Sequence, residues 1–522
     1  MRPLVEEICG HHTPESLVHA LGSAPGVVLL RSGLFEMAEA RYSFIAARPF
    51  LTFRSFGSRC ELEAGGQKQI QFGDPWRLLE SLMSRFELLD EVDLPFPLGG
   101  CFGYWGYDLK NFVEPKLSRR AVNDLELPDC HVGFYDSLVV FDHRLGKTWI
   151  VSTGLRADGS RDAGRARERA EFWKGCLGCE LADAGQTGQG RSAEFHFGAA
   201  GYPHGRAETE FSAPIASGLT SNLSREQFIS LVERAQDYIH AGDIYQVNLC
   251  QRFSACWPFS GWKLFENLST VSAAPFAAYL DCGDFQVCSA SPELFLRLSG
   301  RHIQTRPIKG TRPRSGDSTR DAQLSYELQT SAKENAELVM ITDLLRNDLG
   351  KVCEFGSVQV PELARLERYP QVQHLVSTVE GRLREDATHF SAFASCFPGG
   401  SVTGAPKFRA MEIIDELEPV TRGPYTGALG YLGFNRESQL SIVIRSAICR
   451  DGLTFFHSGA GIVADSRPDA EYEETMAKAR GFFEALNFNA TVRREIEFNA
   501  KTQRRKGARK QRSTANRRES RK

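Results

Sequence analysis

Apolar positions recur along the chain with a period of two in some stretches and of three to four in others. The switches between these periods mark the elements. Residues 27–30, 43–45, 137–141 and 148–152 read as short strands bounded by turn residues, with a helix over 75–86. From Ser224 the period is helical: Phe228, Leu231, Val232 and Ile239 fall on one face behind a serine able to cap, with Gln227 three residues on. Strands are expected at 245–253, 276–280, 286–289 and 294–298, then a helix over 331–349. Strands at 427–434, 441–449 and 454–457 and a helix from 468 to about 486 close the pattern. Large sheets with helices outside suit this alternation.

A chain of 522 residues exceeds one ordinary core. Between 154 and 222 glycine, alanine, serine and charge replace the periodic pattern, so that stretch reads as a variable, partly disordered connector carrying an exposed helix. It separates an N-terminal region, 1–153, from a larger one, 223–490. A basic tail follows at 491–522, and its residues 501–522 are almost free of apolar side chains. Without interleaved aromatics they read as a disordered, solubilising tail rather than a nucleic-acid arm.

Composition adds mainly exclusions. With 42% hydrophobic and 25% charged residues and a net charge of −2, nothing overall suggests a nucleic-acid binder. Thirteen cysteines without a framework of spacings indicate reduced thiols, as in a cytoplasm. Cys176 and Cys179 lack the second pair that a zinc site needs. The N-terminus has acids and histidines where a secretory signal has basic and apolar runs, and no apolar stretch reaches membrane length, so a cytoplasmic location is expected.

Five stretches carry candidate chemistry. TRPIKGTRPR, residues 305–314, places Lys309 between prolines and beside a glycine, which reads as a stiffened turn presenting one amine. Glu334 and Glu337 share a helix face beside the apolar stripe Leu338, Ile341 and Leu345. Glu471, Glu474 and Lys478 repeat this on the last helix. Spacing alone leaves solvated helix surface as the simpler account of these glutamates, and an i,i+4 ion pair explains Glu474 and Lys478 without function. FPGGSVTGAPK, from Phe397, opens a helix with free backbone N–H groups that favour a small anion, but it lacks the Walker A spacing. HSGAGIVADS, from His457, offers further approachable amides at Gly459 and Gly461.

The strings YQVNLCQRF, SPELF, TRPIKGTRPR, ELVMITDLLRNDLG, QHLVS, FPGGSVTGAPK, SIVIRSA and GAGIVADSRPDAEYEET, in this order, resemble the chorismate-utilising enzymes. That family makes anthranilate, aminodeoxychorismate, isochorismate or salicylate. In the N-terminal half, RYSFIAARP resembles the members that use ammonia. The resemblance implies an α+β fold of two large, mostly antiparallel sheets packed face to face with helices outside, with Mg²⁺ as cofactor and chorismate as substrate. It implies that Glu337 and Glu474 hold the metal against the ring carboxylate, with Glu334 and Glu471 nearby or acting through water. Arg445 and Tyr425 match the grip on the enolpyruvyl carboxylate, and a guanidinium fork suits that task. Thr403, Gly459, Gly461 and Lys478 match further contacts to carboxylate and metal neighbours. His374 matches a histidine that either orients the ring or moves a proton. Glu293 matches the acid that protonates the departing 4-hydroxyl, which requires a carboxyl held neutral by burial.

Two positions discriminate within the resemblance. Water-adding members carry a lysine base where this chain has Gln246, and an amide cannot take a proton from water. Anthranilate-forming members have alanine at the position of Lys309. Lysine there resembles the members that form 4-amino-4-deoxychorismate, a precursor of p-aminobenzoate and folate, through covalent attack of the amine on C2. Anthranilate formation and a silent subunit that only recruits a glutaminase are the alternatives. No glutaminase string of the GxCxGxQ type is present, so ammonia is expected from a separate glutaminase subunit. No lyase domain follows either, so release of p-aminobenzoate is expected to need another enzyme.

Overall fold

A computed structural model describes residues 2–10, 12–33, 40–89, 93–183, 219–369 and 372–487. The tail at 491–522, connector residues 184–218 and the Cys179 side chain lie outside the described ones. Two twelve-stranded sheets form the molecule, and within each the neighbouring strands run antiparallel. Both sheets cross the boundary between the sequence regions. Val28–Arg31 pairs with Phe276–Asp281 in one sheet, and Gly100–Trp105 pairs with Ala428–Gly433 in the other. The first 153 residues therefore contribute strands to both.

The alternation that marks the strands also explains the layering. Phe44, Leu138, Val287 and Ile448 from one sheet meet Phe53, Val132, Leu296 and Leu440 from the other in a single buried core. Helices Pro14–Leu21, Ala163–Asp183, Gly261–Val271 and Pro468–Asn487 cover the outer face of the first sheet through Leu17, Trp173, Leu264 and Phe482. The helix expected to be exposed at the start of the connector is docked instead. Trp173 is buried and its indole N–H donates to Ser137 Oγ at 3.1 Å, while Arg165 and Arg169 pair with buried Asp136. Its apolar residues are few but fall on one face. Ser224 and Gln227 form the expected capping box of helix Arg225–His240.

Two expected elements differ in ways that shape the site. The stretch read as one strand over 441–449 is two strands. Glu437–Ile442 belongs to one sheet and Ser446–Arg450 to the other, with Arg445 between them at φ +50°. Beside it the chain makes a second crossing, from Gln286–Ser291 to Leu294–Ser299, and this one carries Glu293. The two crossings are tied together: Ala290 N–H donates to the Arg445 carbonyl at 2.9 Å, and Ile442 N–H to the Glu293 carbonyl at 3.1 Å.

The lysine segment is the other. It is not a free turn but the strand Ile308–Pro313, paired with Val372–Arg382. Lys309 opposes Leu375 and Thr311 opposes His374, which leaves Gly310 as the extra residue of a bulge at φ +72°. The proline and glycine signals that suggest a turn are here the signals of a bulged strand.

Candidate active site

The bulge sets the site out. At Gly310 a Cβ would stand 2.7 Å from Glu334 Oε2, so only glycine lets that carboxylate approach the backbone beside Lys309. Lys309 is half-buried and forms no ion pair or hydrogen bond through its amine among the described residues. Burial lowers its pKa. Glu337, Glu293 and Glu474 pull it back up, and Lys478 pushes it further down. These partners come from helix Ala332–Gly350, from one sheet crossing and from helix Pro468–Asn487.

Glu293 is 6% exposed, and burial pushes its carboxyl up to about 7, against the opposing effects of the Ser401 hydroxyl and the Lys309 charge. Near neutrality it is a proton donor. His374 lies buried across from the lysine strand, where its Nδ1 meets Thr311 Oγ1 at 2.8 Å. Burial and the Arg445 cation bring its pKa down to about 4, so the ring is neutral at physiological pH. Arg445 is held between the sheets with no carboxylate partner among the described residues, and burial lowers its pKa. A guanidinium in that setting is an anion receptor.

The remaining positions divide between those that join this cluster and those that line its floor. Glu474 pairs with Lys478 at 2.7 Å, and Lys478 also donates to the Gly459 carbonyl at 2.9 Å. Although burial opposes it, the lysine contact lowers the Glu474 pKa. Gln246 is fully buried and neither end of its amide has a partner among the described residues; its Nε2 sits where a Cβ on Gly461 would fall, at 2.6 Å. Thr403 is buried, and its hydroxyl lies within hydrogen-bonding distance of the Gly399 and Gly400 carbonyls. Glu334 is engaged by Arg312 at 3.1 Å. Tyr425 lies against His457 and Arg422, and among the described residues no hydrogen bond joins it to Arg445. The lysine of the glycine-rich loop is structural: Lys407 is taken up by Asp348 and by the carbonyls of Cys396 and Pro398.

The profile of the chorismate binding enzymes matches residues 38–484. The chain belongs to that family. It is 37% identical to aminodeoxychorismate synthase component 1 of Escherichia coli K12 over 468 residues, 89% of this chain and 94% of that protein. It is equally 37% identical to anthranilate synthase component 1 of Acetivibrio thermocellus over 483 residues, 92% of this chain and 94% of that protein. The crystal structure of anthranilate synthase component I from Streptococcus pneumoniae TIGR4 superimposes with a TM-score of 0.68 at 30% identity, covering 85% of this chain and 92% of that one. The two-sheet fold is thus that of the chorismate binding enzymes, while overall identity does not separate the two activities.

Magnesium can be tested against the residues themselves. Among the described residues no three acids converge into a closed ligand set. Glu471 is buried with Ser466 Oγ donating to Oε1 at 2.6 Å, but its Oε2 has no partner among the described residues. Burial raises the pKa values of Glu337 and Glu471, and the neighbouring glutamates add to the rise. An orphaned carboxylate oxygen within a group of mutually repelling acids fits a hard, oxygen-seeking cation.

Three contributors escape the sequence reading of this chorismate binding enzyme. The Ser401 hydroxyl acts against the rise of the Glu293 pKa, Thr311 sets the His374 ring, and Lys333 stands 3.9 Å from both Glu337 and Glu471. Ser401 and Thr311 lie inside strings that carry the resemblance, so proximity in sequence was the available signal. Lys333 sits one turn before Glu337, the i,i+4 relation that pairs opposite charges on a helix.

Proposed function

We propose that this chain aminates chorismate at C4 to give 4-amino-4-deoxychorismate, with Lys309 as a covalent nucleophile. What carries the reading is the placement of Lys309: an amine with no ion-pair partner among the described residues, held below its ordinary pKa by burial and close enough to feel Glu293, whose carboxyl is pushed up to about 7. Arg445 receives the enolpyruvyl carboxylate, and Thr403, Gly459 and Gly461 line the ring carboxylate end. The Lys309 amine bonds to C2, the ring double bonds shift, and the C4–O bond breaks as Glu293 delivers its proton, so that water leaves. Ammonia then bonds to C4, the double bonds return, and the C2–N bond to lysine breaks. A base takes the proton released by the new amine, and Glu293, left as carboxylate, is placed to do so. The enolpyruvyl group is retained throughout.

Glu337 and Glu474, with Glu334 and Glu471 close by, would hold Mg²⁺, which when bound neutralises the ring carboxylate and fixes its position. Gln246 disfavours water as the nucleophile because its amide is no base. Ammonia would come from a separate glutaminase subunit, as the "component 1" in the relatives' names suggests. The test is product analysis with chorismate, Mg²⁺ and ammonium. Aminodeoxychorismate without pyruvate is expected, together with an adduct on Lys309 in the intact-mass spectrum. Anthranilate with pyruvate would overturn the assignment.

A further inference from the structure

The strand Leu453–Ile462 presents His457, Gly459 and Gly461 on one face, each two residues from the next. The two glycines keep that face open; His457 closes its end. The His457 ring lies nearly parallel to Tyr425, with centroids 4.9 Å apart and planes 13° from each other. Beyond Tyr425 the Arg422 guanidinium lies 6.0 Å from the ring centroid. Tyr425 itself hangs from a tight turn in which its N–H donates to the Arg422 carbonyl, with Thr426 next at φ +59°. Its phenol oxygen has no hydrogen-bond partner among the described residues. The stack, rather than a hydrogen bond, therefore sets the plane of the ring.

Charge decides what kind of ring can serve here. His457 is half-buried, and its desolvation together with Arg252 and Arg422 holds it neutral. Its Nε2 has no partner among the described residues, and the residue lines a cavity of about 20 Å³ shared with Asn123, Leu125 and Ser446. A protonated ring would repel both arginines and press on the Tyr425–Arg422 contact. We infer that His457 is a positioning residue, an uncharged shelf that fixes the plane of Tyr425 at the end of the glycine row. This rests on the reading of Tyr425 as a contact for a substrate carboxylate.

Steady-state kinetics with chorismate on Tyr425→Ala, His457→Leu, His457→Phe and the Leu/Ala double variant test it, with melting temperatures recorded alongside. His457→Leu is expected to raise KM about five- to tenfold with kcat within about twofold, and His457→Phe, which keeps a flat neutral face, to return KM close to wild type. The double variant should be no worse than Tyr425→Ala alone. If Tyr425→Ala raises KM and His457→Leu lowers only the melting temperature, the shelf is wrong and the reading of Tyr425 stands. If Tyr425→Ala leaves KM unchanged, both fall. A Phe variant no better than Leu also overturns the shelf. Should the Leu variant not fold, His457→Gln makes the same comparison with a side chain that cannot stack face to face.

Discussion

Two pairs of cations, one buried and one half-buried, differ in company. Beneath the Gly106 and Gly423 turns, Lys110 is fully buried but sits 3.1 Å from Asp415. Nearby, Arg422 bonds to both oxygens of Glu418 and to the carbonyls of Val402 and Asn248. In the candidate site, Lys309 and Arg445 are half-buried with no such partners among the described residues. Satisfied charge holds the fold together; unsatisfied charge waits for a ligand. Partial burial costs the second pair stability that a bound anion would return.

The contrast is sharpest in variants that remove one cation from each region. Lys309→Ala is expected to bring aminodeoxychorismate formation to background while leaving the melting temperature near wild type. Lys110→Ala is expected to cost about 3–5 kcal/mol of stability by stranding Asp415. Urea denaturation and product chromatography on both chains read this out. An unstable Lys309→Ala would break the comparison.

Arginines give the next largest effect. Arg445→Gln should lower kcat/KM for chorismate by about 10²-fold with stability unchanged or improved. Arg422→Gln should do the reverse, unfolding the chain at lower denaturant because Glu418 stays buried and uncompensated. Kinetics and denaturation midpoints together decide it.

pH should separate the acid from the histidine. With the Glu293 carboxyl pushed up to about 7, kcat is expected to fall about tenfold per pH unit above that value. The His374 ring, at about 4, should add no arm between pH 5 and 8. The same shift acts on stability. Glu293 binds its proton more tightly folded than unfolded, so wild type loses stability as pH rises from 4.5 to 7. Glu293→Gln should abolish both the slope and the rate arm. A stability curve parallel to wild type would count against the buried acid.

Much of the site was legible because helices carry their own period. Glu334, Glu337, Glu471 and Glu474 could be put on helix faces from spacing alone, and the helices end close to where the apolar pattern says. What could not be read was nonlocal. Arg445 sits in an apolar run that looks like one strand, with no glycine to warn of its positive φ; the break exists because two sheets compete for the two ends. Lys309 was read as lying on a turn because proline and glycine are punctuation locally, while the pairing with Val372–Arg382 depends on a segment some sixty residues away. The stacking of Tyr425 on His457 has no sequence signal at all.

The twin crossings have a thermodynamic consequence. Since Ala290 and Ile442 each donate to the carbonyl of the opposite crossing, their amide protons can meet solvent only when both sheets part at once. Deuterium uptake there should track global unfolding, slower than at the outer edge strand Gln67–Phe72. Heat inactivation and loss of tertiary signal should then coincide on one curve, because the acid and the arginine are carried by the last part of the protein to come undone.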